Sequence, residues 1–174
     1  MLLNSRLLDY YFQRLSVPFR GEFKSANKQF IAPLPIRLPT STQAAQLEEL
    51  GERLHVKAAA VSRERAGFLA WLAGELGTDP RSLPGSTTLL TYDRYTLDEL
   101  IAVLGRSATR LRTDPDSRRF RELLAGELEA SLDRLAPLRS ELTAGIDEAD
   151  GLVYELYEIP AALRDVVERE YEGR

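Results

Sequence analysis

The 174-residue sequence contains no cysteine and only one histidine, His55. The lack of cysteine excludes disulfides, thiolate zinc sites and cysteine nucleophiles, and His55 has no second histidine with which to share a metal ion. Long apolar runs are also missing, and the first residues do not form a basic leader followed by an apolar stretch. We therefore expect a cytoplasmic protein with neither a membrane segment nor an export signal.

Apolar residues make up 44% of the chain, which at this length is enough to bury a hydrophobic core. The net charge of −4 argues by itself against a nucleic-acid partner, but it is unevenly distributed. Residues 1–43 and residues 106–121 each hold six basic residues against two acidic ones, whereas residues 122–174 hold five against fourteen. The sequence therefore predicts two basic patches on an acidic body.

The spacing of apolar residues and the capping residues predict a mainly α fold with five helices. The proline-rich residues 31–39 predict a short strand or extended arm, and residues 87–91 predict a short extended piece within a loop. The helices are expected over residues 5–16, over residues 40–77, from the capping box of Thr96 and Glu99 to Leu111, from Asp114 and Pro115 onwards, and from Pro160 onwards.

Two heptad rows run along the second long helix and predict a packing seam. Pro137 and Gly145 interrupt this seam, so a kink or a break is expected near either residue. The two long helices are expected to pack on each other as a long antiparallel hairpin, with the short middle helix covering the join. The first row consists of Leu128, Leu135, Leu142, Ala149 and Leu156, and the second of Leu124, Ser131, Leu138, Gly145 and Leu152.

The loop over residues 19–31 combines basic and amide side chains that suit DNA. Arg20, Lys24 and Lys28 can bind phosphates or guanine edges, while Asn27 and Gln29 can hydrogen-bond an adenine edge in a bidentate manner. The structural alternative is that the two amides cap turns and that the neighbouring phenylalanines fill the core. The residues by themselves favour this alternative and leave DNA binding open.

The second basic patch contains Arg118, Arg119 and Arg121, which are candidates for secondary phosphate contacts. The alternative is a solvated helix end whose arginines pair with Asp114, Asp116 and Glu122.

A nuclease site is a weaker hypothesis. Glu22 and Lys24 form a Glu-x-Lys pattern with Asp9 upstream, and two such acids could hold a magnesium ion while the lysine helps to activate water. That chemistry needs the residues on adjacent strands, but Asp9 falls on a predicted helix. A solvated basic loop is therefore favoured.

Both ends of the chain carry motifs of one protein family. The first motif consists of residues 2–12, followed by Pro-Phe-Arg-Gly at 18–21, Asn-Lys-Gln-Phe-Ile at 27–31 and Leu-Pro-Ile at 34–36. The second is the run Asp-Gly-Leu-Val-Tyr-Glu-Leu-Tyr at 150–157. Together they resemble the TaqI-like C-terminal specificity region of adenine-specific DNA methyltransferases, which include type IIG restriction-modification enzymes.

This resemblance implies a parent enzyme that flips adenine out of duplex DNA and methylates it with S-adenosylmethionine. The chain contains neither the Asn-Pro-Pro-Tyr signature nor a glycine-rich cofactor loop, so it resembles only the C-terminal portion, with no cofactor and no catalysis of its own. Residues 1–40 would be the tail of a target-recognition module and residues 41–174 a helical hairpin domain. Its expected partners are double-stranded DNA and an upstream methyltransferase catalytic domain.

The sequence departs from the family pattern directly after the second motif. The family typically continues with Gly-Leu-Thr, whereas Glu158, Ile159 and Pro160 stand here. Pro160 can still start a helix, so we interpret the change as structural. The main alternative to a DNA-related role is a helical interaction module that dimerises through the heptad seam.

Overall fold

The computed structural model describes residues 2–20 and 23–172, apart from the side chains of residues 19, 20, 23 and 172. Helices dominate this part of the chain, which confirms the mainly α fold. None of them combines the length and the apolar character that a membrane crossing needs. The helices are α1 (Arg6–Leu15), α2 (Lys28–Ile31), α3 (Ser41–Leu76), α4 (Ser86–Leu90), α5 (Leu97–Gly105), α6 (Arg118–Leu156) and α7 (Ala161–Glu172).

The remaining regular structure is short. Strands β1 (Pro18–Arg20) and β2 (Phe23–Lys24) pair antiparallel, with Pro18 opposite Lys24. Four single turns of 3-10 helix lie at Leu2–Asn4, Pro80–Ser82, Tyr92–Arg94 and Ala108–Arg110.

The chain divides into two compact units, to which α3 and α6 both contribute. Unit 1 consists of residues 1–55 and 143–174, and unit 2 consists of residues 56–142. The functional division at residue 40 stays a prediction, because compactness does not test which residues recognise DNA.

Most predicted helices are confirmed, and their ends follow from local chemistry. Ser5 caps α1, since its hydroxyl accepts the N–H of Leu8. The long α3 ends before Gly77, whose φ of 71° lies in the left-handed region that favours glycine. Thr96 and Glu99 form the expected capping box at the start of α5.

Unit 2 contains the predicted antiparallel hairpin. Lys57 of α3 pairs with Glu141 of α6, and Glu64, further along α3, pairs with the earlier Arg134. The two helices therefore run in opposite directions. Between these helices lies one apolar core, in which the rings of Phe68 and Tyr92 stack with centroids 3.8 Å apart. Helix α5 closes this core, so the short middle helix covers the join as expected. The core also contains Leu72, Leu76, Leu89, Leu100, Leu104, Phe120, Leu124 and Leu135.

Residues of the heptad seam of α6 pack within the chain's own core. Leu128 and Leu135 are buried in the core of unit 2 and are not displayed on an outer surface. The chain's own core occupies these two residues, which leaves them unavailable to a second copy, while dimerisation along the rest of the seam stays a prediction. Of the kink or break expected near Pro137 or Gly145, the break is wrong, since α6 continues through both positions, and the kink stays a prediction.

Three local expectations were wrong. Residues 87–91 lie in and just after α4, because the turn at Gly85 leads into a helix that buries Leu89 completely. Helix α5 stops at Gly105, short of Leu111. Helix α6 starts at Arg118, not at Asp114.

Residues 31–39 were expected to form a short strand or an extended arm. No strand forms there, since prolines remove ladder donors, and the strands lie at Pro18–Arg20 and Phe23–Lys24. Of the two expectations, the arm is therefore the one that remains.

The late start of α6 has a simple cause. The carboxylate of Asp114 accepts the N–H of Asp116 at 3.0 Å, which closes a turn and not a helix. The hydroxyl of Ser117 then accepts the N–H of Phe120 at 3.4 Å and takes over the capping role.

Polar side chains inside unit 2 hold α3, α6 and the turn at Tyr92–Arg94 together. The Tyr92 hydroxyl lies 2.6 Å from the hydroxyl of the fully buried Ser131, which donates to Glu64 at 2.8 Å. Next to this pair, the carboxylate of Asp93 is completely buried and binds the guanidinium groups of both Arg65 and Arg139. A buried carboxylate is tolerated because two cations neutralise it.

Replacing this carboxylate tests the packing. We expect Asp93→Ala to lower the free energy of unfolding by about 3 kcal/mol, because two cations lose their partner. The loss falls at the low end of the range for buried pairs, since Arg65 and Arg139 are 31% and 36% exposed. Urea denaturation followed by circular dichroism measures the change.

The matched control is Asp98→Ala, which removes a carboxylate from Arg121 at a site that is 81% exposed. This variant should lose less than about 1 kcal/mol. Equal losses for the two variants would contradict the assigned role of Asp93.

Candidate nucleic-acid interface

The predicted DNA-binding loop of unit 1 is built on the end of α1 and on the β1–β2 hairpin. The hydroxyl of the buried Ser16 donates to the carbonyl of Ser25 at 2.6 Å, and the N–H of Ser25 donates to the carbonyl of Val17 at 3.1 Å. These bonds fasten the base of the loop to α1. The segment after Ser25 therefore leaves the helix at a defined place.

Three of the five predicted loop residues lie exposed at the start of α2. Asn27 occupies the capping position, but its side chain accepts the hydroxyl of Ser25 at 3.0 Å and bonds no helix N–H. Lys28 and Gln29 are exposed, and their side chains bond no residue of the described chain. Their donors and acceptors are thus directed to solvent and are available to a ligand.

The structure supports the other two predicted DNA contacts of the loop, Lys24 and Arg20, less directly. The ammonium group of Lys24 is half-buried and donates to the carbonyl of Ser16 at 3.4 Å, so it turns back toward the hairpin. Arg20 ends β1, but its side chain lies outside the described residues. Glu22 of the nuclease hypothesis lies outside them as well, while Asp9 is on a helix as expected.

The arginines at the start of α6 behave differently from one another. Arg118 pairs with Glu122 at 2.7 Å, and Arg121 pairs with Asp98. Arg119 is exposed and forms no bond to a described residue. The alternative of pairing within the helix end therefore applies to Arg118, while Arg121 also has a carboxylate partner, but on α5 and not among the acids expected.

The two motifs that carry the resemblance meet in unit 1 through Arg6. The Arg6 guanidinium binds Asp147 at 2.6 Å and Glu168 at 3.0 Å, and it approaches Asp150 at 3.4 Å. The backbone N–H of Arg6 also donates to Asp150 at 2.9 Å, so an aspartate from α6 bonds the first turn of α1. This cluster joins Arg6, which belongs to the first motif, to Asp150, which begins the second.

Burial and charge oppose each other in this cluster. Burial raises the pKa of Asp150 above its ordinary value, and the N–H and the charge of Arg6 offset only part of that effect. Burial acts to lower the pKa of Arg6, but the surrounding carboxylates outweigh it and the net pKa is raised. Arg6 therefore stays charged and serves as a fixed cationic anchor for the acidic end of α6.

A second contact fastens the extended arm before α3. The Tyr157 hydroxyl donates to the carbonyl of Pro35 at 2.7 Å and accepts the N–H of Arg37 at 3.0 Å. The Arg37 side chain in turn pairs with Glu158 at 2.6 Å. The last tyrosine of the second motif thus binds the Leu-Pro-Ile part of the first motif.

The chain leaves α6 through a left-handed residue. Glu158 has a φ of 55° and is the one non-glycine residue with positive φ in the described chain. The N–H of Glu158 bonds the carbonyl of Glu155 at 3.0 Å, and that of Ile159 bonds the carbonyl of Tyr154 at 2.9 Å. These are the two bonds of a Schellman motif, whose left-handed position usually carries glycine.

This geometry predicts a stabilising substitution. We expect Glu158→Gly to raise the free energy of unfolding by about 0.5–1 kcal/mol, because glycine adopts the left-handed conformation without strain, although it adds entropy to the unfolded chain. Urea denaturation followed by circular dichroism measures the gain.

Glu158→Ala is the control, since it removes the same ion pair to Arg37 but keeps a side chain at positive φ. It should leave the stability unchanged or lower it by less than about 0.5 kcal/mol. The assignment fails if the alanine and glycine variants are equally stable.

Within the described residues, no group of acids and histidine is arranged to hold a metal ion, so the nuclease hypothesis gains no support. The geometry provides an exposed polar turn at residues 27–29, attached to a unit in which the two motifs quoted above meet. No protein-family model, curated protein or solved structure matches this chain.

Proposed function

We propose that the chain is the C-terminal DNA-recognition and structural portion of an adenine-specific DNA methyltransferase of the TaqI-like, type IIG class. Its role would be to hold duplex DNA and to orient it for a catalytic domain elsewhere in the parent protein. The chain would not transfer a methyl group by itself.

The observation that carries this proposal is the meeting of the two family motifs in unit 1. The motifs resemble the family separately, and they begin more than a hundred residues apart in the sequence. The bonds of Arg6 to Asp150 and of Tyr157 to Pro35 give both motifs one shared structural task. Two motifs that stabilise the same fold are expected to occur in the same proteins. Their contact therefore supports the interpretation that they form one family signature.

Glu158 adds independent support. The resemblance implies glycine at this position, and the backbone here has a conformation that favours glycine. The glycine that the resemblance implies would therefore fit the Schellman geometry observed here.

The proposed DNA contacts of unit 1 are Lys28 for a phosphate and Asn27 and Gln29 for base edges. These three side chains are exposed at the start of α2, and amides of this kind can read adenine in the major groove. Arg20 and Lys24 remain candidates from the sequence, although Lys24 would have to leave the carbonyl of Ser16 to bind DNA.

S-adenosylmethionine is assigned to the parent enzyme and not to this chain. The sequence has neither the glycine-rich loop that would hold the cofactor nor the Asn-Pro-Pro-Tyr signature that would hold a flipped adenine. We assign no step of methyl transfer to these residues. A cytoplasmic location belongs to the same proposal, because it follows from the proposed restriction-modification role.

The proposal is tested by the binding of fluorescently labelled duplexes to the full chain. We expect Lys28→Ala to weaken binding to all duplexes and to flatten the dependence of log affinity on log salt by about one unit, as for a lost phosphate contact. We expect Asn27→Ala/Gln29→Ala to reduce discrimination between the best and the average duplex by about 1–3 kcal/mol. Fluorescence anisotropy at several salt concentrations measures both effects.

Arg63→Ala is the matched charge control, since Arg63 is an exposed cation of unit 2 with no bond to a described residue. It should leave both the affinity and the salt dependence close to those of the unmodified chain. A chain that binds no duplex at low salt would overturn the proposal. A Lys28 variant that matches the Arg63 variant would overturn the assignment of the recognition turn to residues 27–29.

A further inference from the structure

The loop that follows α5 in unit 2 contains two exposed arginines that the sequence-based site did not include. Arg106 lies directly after α5, and Arg110 ends the 3-10 turn at Ala108–Arg110. Both side chains are exposed, and neither forms a bond to a described residue. Two unpaired cations thus lie four residues apart on one short loop.

The surroundings of this loop do not neutralise the two arginines. No acidic residue occurs from Ile101 to Thr113. The nearest carboxylates in the sequence already have partners within the chain: Glu99 accepts the N–H and the hydroxyl of Thr96, and Asp114 accepts the N–H of Asp116. The positive charge of Arg106 and Arg110 is therefore left for an external anion.

The loop is held in place by the end of α3. The N–H of Arg112 donates to the carbonyl of Leu76 at 2.9 Å, and the Thr113 hydroxyl donates to that of Glu75 at 2.9 Å. Within the loop, Ser107 is buried and its carbonyl accepts the N–H of Arg110 at 2.8 Å. Because the backbone is already fixed, the loop loses less conformational entropy when an anion binds these side chains.

We propose that Arg106 and Arg110 form a phosphate-binding surface of unit 2 whose ligand is the backbone of duplex DNA. This inference rests on the proposed function for the choice of DNA as the anion. It differs from the sequence-based prediction, because Arg118 and Arg121 are engaged with carboxylates while Arg106 and Arg110 are not. Guanidinium groups form charge-assisted hydrogen bonds with phosphate and read no base sequence when they do so.

The test compares Arg106→Ala/Arg110→Ala with Arg63→Ala/Arg94→Ala. The control removes the same charge from two exposed arginines of unit 2 that form no bond to a described residue. We expect the first double variant to bind every duplex about tenfold more weakly and to flatten the log–log salt dependence by about two units. The control should change the affinity by less than about twofold, because it removes charge but no contact.

Arg106→Lys/Arg110→Lys keeps the charge and should retain most of the affinity and the salt dependence. The inference is overturned if the first double variant and the control lose equal affinity. It is also overturned if the first double variant loses affinity for polyglutamate but not for DNA, since an acidic protein would then be the ligand.

The two proposals fail in distinguishable ways. If the Arg106/Arg110 variant loses binding while the Lys28 variant binds normally, the phosphate surface of unit 2 is supported and the recognition turn of unit 1 is rejected. The opposite pattern would keep the recognition turn and reject this surface. A chain that binds no DNA at all would reject both.

Discussion

Unit 1 depends on the ion cluster around Arg6. This one guanidinium is 18% exposed and faces carboxylates at the end of α6 and on α7, while its own helix lies near the start of the chain. Desolvating so many charges is costly, and the geometry offsets that cost only when every partner is present. The cluster therefore contributes more to the specific packing of α1, α6 and α7 than to the free energy of folding.

Helix positions could be predicted from the sequence wherever a strong periodic pattern coincided with a local cap. Ser5, Gly77 and the Thr96–Glu99 box each end or begin a helix through bonds within a few residues, so no tertiary information was needed. The start of α6 and the short α4 were predicted wrongly for the opposite reason. The carboxylate of Asp114 can either cap a helix or close a turn, and in the structure it closes a turn. The burial of Leu89 depends on a core that is assembled from distant residues.

The candidate site could be predicted only in part. Residue type identified Lys28, Asn27 and Gln29, but it could not show that Lys24 turns back to Ser16 or that Arg118 and Arg121 have carboxylate partners. Arg106 and Arg110 were counted in the basic segment but were not selected. Their distinguishing property is the lack of a nearby acid, and the sequence shows this as the acid-free stretch from residue 101 to residue 113.

The contacts of Arg6 also bear on the order in which the chain can fold. Arg6 and Glu168 are separated by 162 positions, whereas Lys57 and Glu141 of unit 2 lie much closer together in the sequence. Closing a longer loop costs more chain entropy, and during synthesis α1 leaves the ribosome long before α7 exists. The acidic end of the chain must therefore be made before the N-terminal helix can reach its ion-pair partners, while the hairpin core of unit 2 can assemble earlier.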